Sequence, residues 1–443
     1  MAGSLVFHAN PSIVRFAVLV AAFVAVTAAG HAAPVVDVVH VNGVIGPATA
    51  RYVLRALDRA EYHRVQALVL EMDTPGGLTK SMDDISEGLL NSPVPSVAYV
   101  YPSGARAASA GVFIMYAAGL AAMAPTTHLG AAHPVSIATT GTGSMDKTEM
   151  TKATNDAVAE IRSFALRHGR NGVWAERAVR QSVSITSEEA LRLHVIDLIA
   201  TGPSDLLAKL DGRLVRTATG TVRLQTRNAH LIDVAMDLTE EFLRLLSDPN
   251  VGFVLMTIAI YGIIFELSNP GLIFPGVIGV FALLLALASF AIIEVNAAGV
   301  IFIVFAIALF IADIKVPSHG ILTAGGITSF VLGSLLLTSN QAPFLRVSIA
   351  LIIGVAVMTA AFFLFAVGAG VRAQGRRVET GREALVGAIG VVRRELAPEG
   401  TVFVQGELWS AASSSGMIPA GARVRVVAIN GLHLKVRAVD ESL

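Results

Sequence analysis

The feature that most constrains this sequence of 443 residues is a long apolar block that runs from Val251 to Val371. Five charged residues interrupt this block, namely Glu266, Glu294, Asp313, Lys315 and Arg346. A soluble globule has no means of covering so many consecutive apolar side chains, whereas a lipid bilayer accepts them. The sequence therefore predicts a membrane-embedded domain, with more polar regions before and after it.

Turn-forming residues divide the apolar block into five predicted spans. The spans are Val251 to Phe265, Leu272 to Ile293, Ala298 to Ala312, Ile321 to Leu337, and Val347 to Val371. Some of them are shorter than the ~20 residues that a perpendicular helix needs to cross a bilayer. Counts of four to six spans therefore remain open.

The two ends of the chain predict the topology. An apolar run from Phe16 to Ala29 follows Arg15 and ends in small residues, so residues 1–33 are expected to be a signal peptide or an uncleaved anchor. Arg372, Arg376 and Arg377 follow the membrane block, and basic clusters of this kind remain in the cytoplasm. Five crossings satisfy both signals. We expect a multi-pass protein of the bacterial inner membrane, with an extracytoplasmic N-terminal domain and a cytoplasmic C-terminal domain.

Charge and cysteine content exclude several classes of chemistry. The chain has 33 basic and 33 acidic residues, so its net charge gives no indication of nucleic-acid binding. It contains no cysteine, which excludes disulfides, thiolate nucleophiles and cysteine metal sites. We predict neither a metal nor a cofactor.

The soluble regions carry two different patterns. In residues 34–228, apolar strands alternate with helix-like stretches, which predicts an α/β domain with a parallel sheet. Residues 229–250 are predicted as an amphipathic connecting helix, from about Leu231 to Leu246. In residues 372–443, short strand-like runs and the turn Asn430-Gly431 predict a small all-β barrel.

The candidate nucleophile is Ser109, in the stretch YPSGARAASAG at 101–111. Small residues on both sides let a substrate backbone approach the hydroxyl. A helix that begins here would supply N–H groups for an oxyanion. Small residues around a serine more often serve helix packing, so this pattern needs support from elsewhere in the chain.

That support comes from Gly76-Gly77, which follows the apolar strand ALVLEMD. Paired glycines adopt backbone geometries that point an amide at a ligand. One N–H from this turn and the N–H of Ala110 would form an oxyanion hole, although an ordinary turn is an equally good interpretation of the two glycines alone.

Taken together, these motifs resemble the nodulation-efficiency protein D (NfeD) family of membrane-bound serine proteases. The matching stretches include MDTPGG at 72–77, MAP at 123–125, the segment TKATNDAVAEIRSFALRHGRN at 151–171 and the C-terminal GELWSAAS. The resemblance covers essentially the whole mature chain. It implies a Clp-peptidase/crotonase-like protease domain, a helical transmembrane bundle and a C-terminal OB-like barrel.

The same resemblance implies a Ser-Lys dyad, with Ser109 as nucleophile and Lys152 as general base. Lys147 is a rival lysine without a matching motif. His133 is a second rival, since Clp peptidases carry a histidine base at a comparable interval after the serine. His194 stands where related folds often have glycine, and we interpret it as a structural residue in left-handed geometry.

The predicted activity is therefore endopeptidase cleavage through an acyl-enzyme. The resemblance implies apolar segments of membrane-associated proteins as substrates, with a stomatin-like protein as partner, and a homo-oligomer is expected. Three alternatives remain open: a silent scaffold of membrane microdomains, a peptidase that degrades signal peptides, and an acyl-CoA enzyme of the crotonase type.

Overall fold

A computed structural model describes residues 33–134, 147–268, 271–293, 295–316, 320–339, 345–374 and 385–439. The predicted signal segment lies outside the described residues, apart from its last position. By its internal contacts the chain forms two units, Met1–Ala360 and Ala361–Leu443.

The N-terminal region is an α/β domain whose helices and strands alternate as predicted. Its strands are β1 Val35–Asn42, β2 Ala67–Asp73, β3 Ser96–Val100, β4 Arg106–Ala108, β5 Leu120–Met123, β6 His128–Gly130, β7 Ser184–Thr186, β8 Leu198–Ile199, β9 Leu214–Thr217, β10 Gly220–Arg223 and β11 His230–Asp233. Its helices are α1 Pro47–His63, α2 Thr79–Asn91, α3 Ala110–Ala117, α4 Lys147–His168, α5 Gly172–Gln181, α6 Ser187–Arg192, α7 Pro203–Leu210 and α8 Leu238–Leu246.

The main sheet has six parallel strands in the order β11-β1-β2-β3-β5-β8. Apolar side chains cover both of its faces, which explains the near-continuous apolar sequence of β2. Strands β4, β6 and β7 form a second, smaller sheet. This two-sheet α/β arrangement is the Clp-peptidase/crotonase-like fold that the family resemblance implies.

The connecting helix is shorter than predicted. Residues 230–233 form strand β11, which extends the main sheet by pairing with β1, so the expected start near Leu231 is wrong. The helix α8 begins after Asp237, because Asp237 and Glu240 form a capping box. Arg55 on α1 donates to both carboxylate oxygens of the buried Glu240, at 2.7 and 2.8 Å, and so anchors α8 to the α/β domain.

Five helices lie in the described part of the apolar block: α9 Pro249–Ser268, α10 Phe274–Ile292, α11 Ala297–Lys315, α12 Ile321–Leu337 and α13 Ile349–Gln374. Each of the five predicted spans coincides with one of these helices, and their crossing of a membrane stays a prediction. By length and composition, α9 and α10 are sufficient to cross a bilayer, while the other three have shorter apolar stretches. Helices α9 and α10 pack closely, since a Cβ on Gly262 would lie 2.8 Å from the Cα of Gly279.

The C-terminal unit contains a closed barrel of five strands in the order β12-β13-β14-β16-β15. The strands are β12 Ile389–Arg394, β13 Glu399–Val404, β14 Glu407–Ser413, β15 Arg423–Asn430 and β16 His433–Ala438. Strands β14 and β16 pair in parallel and the remaining pairs are antiparallel. The predicted small barrel is confirmed, including the hairpin at Asn430-Gly431, where Gly431 has φ +62°.

Candidate active site

Ser109 occupies a tight turn between strand β4 and helix α3. Its φ of 52° and ψ of −116° lie outside the regions that a residue with a side chain normally adopts. The turn is held from both sides, since the amide of Ser109 donates to Gly130 O at 3.1 Å and Ser109 O accepts from the Val112 amide at 2.9 Å. A strained residue fixed in this way at the start of a helix is typical of a catalytic nucleophile.

The Gly-Gly turn at 76–77 lies directly against Ser109. A Cβ on Gly76 would be 2.5 Å from Ser109 Cβ and 3.0 Å from Ser109 Oγ, and its φ is +115°. Only glycine fits this position, because any side chain would displace the hydroxyl. The sequence placed both motifs after strands, and the structure brings them into contact.

The amides of Gly76 and Gly77 differ in whether they already donate a hydrogen bond. The Gly76 amide donates to Thr74 Oγ1 at 3.0 Å. The bridge between Ile45 and Gly77 uses Gly76 O and the Leu78 amide, which leaves the amide of Gly77 outside it. Within the described residues, neither Gly77 nor Ala110 donates a backbone hydrogen bond from its amide. These two N–H groups are therefore the ones available to an oxyanion.

Lys152 does not contact Ser109 in this single chain. It lies on an exposed face of α4, and within the described ranges no hydrogen bond joins the two side chains. Helix α4 is about 33 Å long, and Lys152 lies within its first two turns. Lys147, the rival lysine, is the first residue of the same helix.

His133 lies shortly after β6, in a half-buried position. Its Nδ1 is 2.8 Å from Val179 O, and a carbonyl only accepts, so Nδ1 carries the proton. No hydrogen bond connects His133 with Ser109 in the part of the chain that the structure describes. The imidazole is tied to the end of α5 instead of to the nucleophile.

The far end of α3 contains a group that the sequence analysis missed. Arg170, whose side chain is 2% exposed, donates to Met115 O at 2.7 Å and to Tyr116 O at 3.2 Å. It also pairs with Asp197 at 2.8 Å. A guanidinium at this position satisfies the last carbonyls of α3 and complements its dipole. The available signal was the HGRN motif at 168–171, which contains Arg170.

His194 has the left-handed conformation that the sequence predicted, with φ 56°. Its carbonyl accepts from the Asn171 amide at 3.0 Å. Tyr116 Oη in turn donates to Asn171 O at 2.9 Å. His194 therefore supports the segment that holds the C-terminal end of α3, so its role is structural.

A strained serine beside a Gly-Gly turn with unbonded amides is the arrangement expected of an α/β serine hydrolase, here in one chain with membrane helices and a barrel. Comparisons with known proteins agree with this assignment. Residues 35–205 match the family described as NfeD1b, N-terminal domain. Residues 250–369 match the NfeD integral membrane domain, and residues 382–437 match the NfeD-like C-terminal, partner-binding domain.

The chain is 36% identical to the membrane-bound protease PH1510 of Pyrococcus horikoshii, over 91% of this chain and 93% of that protein. It is 28% identical to the membrane protein NfeD1b of Bacillus subtilis, over 88% and 90%. Among solved structures, it is similar to a lysine-to-alanine variant of the 1510-N membrane-bound stomatin-specific protease in complex with a substrate peptide. That match has 33% identity, covers 48% of this chain and 97% of that one, and has a TM-score of 0.44.

The chain therefore belongs to the NfeD family of membrane-bound serine proteases. It is a membrane protein and a serine protease.

Proposed function

We propose that this protein cuts peptide bonds in apolar segments of membrane-associated proteins, with Ser109 as nucleophile and Lys152 as general base. The observation that carries the proposal is the strained turn at Ser109, packed against Gly76 and next to two available amides. Such a site fits acyl transfer, because the amides stabilise the charge that develops on the attacked carbonyl.

In the proposed reaction the neutral amine of Lys152 takes the proton of Ser109 Oγ as the oxygen attacks the substrate carbonyl. The tetrahedral oxyanion receives hydrogen bonds from the amides of Gly77 and Ala110. Collapse of this intermediate releases the amine half of the substrate, which takes the proton from Lys152. Water then hydrolyses the ester on Ser109 and regenerates the hydroxyl.

The base assignment rests on family resemblance, with His133 as the rival. The hydrogen bond from His133 to Val179 O disfavours the histidine, since it orients the ring toward α5. Lys152 is exposed in the single chain, so substrate binding or assembly with further copies has to bring it to Ser109 in a dry environment.

The position of the membrane helices supports a membrane-proximal substrate. The Gly-Gly turn follows the carboxyl end of β2 in the main sheet, and Ser109 follows β4, which a bridge between Thr74 and Ala107 holds at the same edge. At the same edge, a cavity of about 260 Å³ separates the protease domain from the membrane helices. Its apolar lining includes Val44, Pro47, Leu78, Ile292, Ile293 and Leu345.

Leu78 lines this cavity and directly follows the Gly-Gly turn that packs against Ser109, so in this proposal an apolar chain that leaves the bilayer reaches the cavity next to that turn. The similar 1510-N protease is named as specific for stomatin. We therefore propose a stomatin-like membrane protein as partner and substrate of this chain, and we expect the enzyme to be a homo-oligomer.

A serine-directed fluorophosphonate probe tests the chemistry. We expect covalent labelling of the purified full-length protein and loss of the label in Ser109→Ala. A wild-type protein that folds but takes up no label would contradict the proposal and favour a silent scaffold. Cleavage of a synthetic peptide with an apolar run, compared with a polar peptide of equal length, then tests the substrate class.

The proposed topology places the protease domain outside the cytoplasm and the barrel inside it. An odd number of crossings follows from the exported N-terminus and the arginines after Val371. A reporter that works only outside the cytoplasm should be active when fused near Leu210 and silent after Leu443, and a cytoplasmic reporter should behave in the opposite way. Two fusions that report the same side would refute five crossings.

A further inference from the structure

A second cavity, of about 340 Å³ and with a polar lining, lies on the protease domain away from Ser109. Residues that line it include Gly119, Arg167, His168, Asp197, Arg213 and Arg216. Gly119 and Asp197 directly precede strands β5 and β8, so the cavity is at the amino edge of the main sheet. The nucleophile and the contact with the membrane helices are at the carboxyl edge.

The lining of this cavity has an excess of positive charge. Arg167, Arg213 and Arg216 form no ion pair with any residue in the described ranges. Asp197 does not neutralise them, because its Oδ2 already accepts from Arg170 at 2.8 Å and from the Ala121 amide at 2.7 Å. Three cations therefore line one cavity without a carboxylate of their own.

The hydrogen bonds of the three arginines hold them around the cavity. Arg167 Nη2 donates to Leu90 O at 2.9 Å, and Arg213 Nε donates to Lys209 O at 3.0 Å. Arg216 lies on β9, which pairs with β10 in a hairpin, and its Nη1 is 3.4 Å from Arg167 O. The β9–β10 hairpin therefore lies next to the end of α4. Carbonyl acceptors orient these guanidinium groups but supply no compensating negative charge.

Packing of the β9–β10 hairpin fixes two of the arginines. Val215 is 1% exposed and sits against Gly119, where a Cβ would lie only 2.6 Å from Val215 Cγ1. Glycine at 119 therefore allows the hairpin to dock at the start of β5. Arg213 and Arg216 flank this anchor, so the fold itself brings them to Arg167.

A buried polar atom without a partner lies at the same place. Arg167 Nε is buried and has no hydrogen-bond partner among the described residues. Buried polar atoms without partners are rare in folded proteins, because each one loses its hydration without compensation. The guanidinium of Arg167, which lines the cavity, therefore keeps hydrogen-bonding capacity beyond its bond to Leu90 O.

We propose that this cavity binds a soluble phosphate-type oxyanion, such as inorganic pyrophosphate or a phosphate ester. Guanidinium groups match the oxygen spacing of phosphate and bind it in a bidentate manner. A multiply charged anion would also relieve the mutual repulsion of the three arginines. The position at the edge opposite the membrane helices favours a soluble anion over a lipid headgroup.

Calorimetric titration of the full-length protein in detergent with inorganic pyrophosphate, at constant ionic strength, tests the site. We expect saturable binding that weakens by about tenfold or more in Arg213→Gln/Arg216→Gln, because two charged hydrogen-bonding groups are lost. Arg177→Gln, an exposed arginine on α5, is the matched control and should bind normally. Ser109→Ala should also bind normally, which separates this site from the catalytic one.

Three results would overturn the proposal. The first is the absence of saturable pyrophosphate binding to a wild-type protein that melts cooperatively. The second is equal affinity in the wild type and in the Arg213→Gln/Arg216→Gln variant. The third comes from nanodiscs that contain phosphatidic acid: if they compete with pyrophosphate for the wild type and not for this variant, the ligand is a lipid headgroup and not a soluble anion.

Discussion

The two ends of helix α3 differ in whether their backbone polar groups are hydrogen-bonded. At the N-terminal end, Ser109 is strained and the Ala110 amide donates no backbone hydrogen bond among the described residues. At the C-terminal end, Arg170 donates hydrogen bonds to the carbonyls of Met115 and Tyr116 and forms an ion pair with Asp197. One helix of eight residues thus has one end open to a ligand and one end closed by the protein.

Backbone strain at this helix is confined to Ser109 at its N-terminal end, while Arg170 compensates the last carbonyls at its C-terminal end. Unsatisfied amides at a helix start suit an anion that appears only during the reaction. A buried guanidinium at the other end stabilises the same helix in the ground state. We therefore expect substitutions at the N-terminal end to act on catalysis and those at the C-terminal end to act on stability.

The largest expected effect is on catalysis at the open end. Ser109→Ala and Lys152→Ala should each reduce peptide cleavage by about 10⁴-fold or more, because nucleophile and base act as one unit. His133→Ala is the matched control and should retain measurable activity. Circular dichroism should show all three variants folded. A dead histidine variant together with an active lysine variant would mean that the base is His133.

At the closed end, Arg170→Met should lower the free energy of unfolding by about 3 to 5 kcal/mol, since it leaves Asp197 unpaired and two helix carbonyls unsatisfied. Denaturant unfolding of the solubilised protein measures this change. The double variant Arg170→Met/Asp197→Asn should recover part of the loss, because the half-buried carboxylate that would be left unpaired is removed as well. A single variant as stable as wild type would show that the closed end does not depend on this ion pair.

Gly76→Ala examines the close contact beside the nucleophile. The added methyl group would lie 2.5 Å from Ser109 Cβ, so we expect activity to fall by about 10²-fold through displacement of the hydroxyl. Gly43→Ala is a matched control, because Gly43 also has a positive φ of +88° but no atom within 4 Å of the added carbon. Equal losses of activity in the two variants would attribute the effect to backbone strain alone.

Much of the fold was predictable because its signals are local. Alternation of apolar and helix-like segments predicted the parallel sheet, and Asn430-Gly431 predicted the barrel hairpin. The boundary near Leu231 was wrong because residues 230–233 look like the start of an amphipathic helix, while pairing with β1 makes them a strand. Edge pairing is a long-range interaction that periodicity does not reveal.

The candidate site likewise contains some features that local sequence predicts and others that depend on long-range contacts. Contact between Gly76 and Ser109 follows from two motifs that each end a strand, so sequence reasoning could anticipate it. The HGRN motif contains Arg170, but the role of Arg170 depends on carbonyls more than 50 residues away in the chain, which a local motif does not identify. The partner of Lys152 is a question of assembly and substrate, and it stays a prediction.

The smallest predicted effect concerns pH at the closed end of α3. Burial, together with the charges of Arg170 and Arg167, lowers the pKa of His168 from 6.5 to about 4. Between pH 6.5 and pH 4 the unfolded chain binds a proton on this histidine, whereas the folded protein does not. The contribution of the neutral histidine to stability is therefore complete above about pH 6.5 and is lost as the pH falls toward 4. After allowance for partial exposure of the ring, this loss should be about 1 to 2 kcal/mol.

Melting temperatures of wild type and His168→Asn, measured between pH 7 and pH 4.5, should converge as the pH falls, because asparagine takes up no proton. His63→Gln, at an exposed histidine, should follow the wild-type curve, and a wild type and His168→Asn that stay parallel over this range would show that His168 titrates normally.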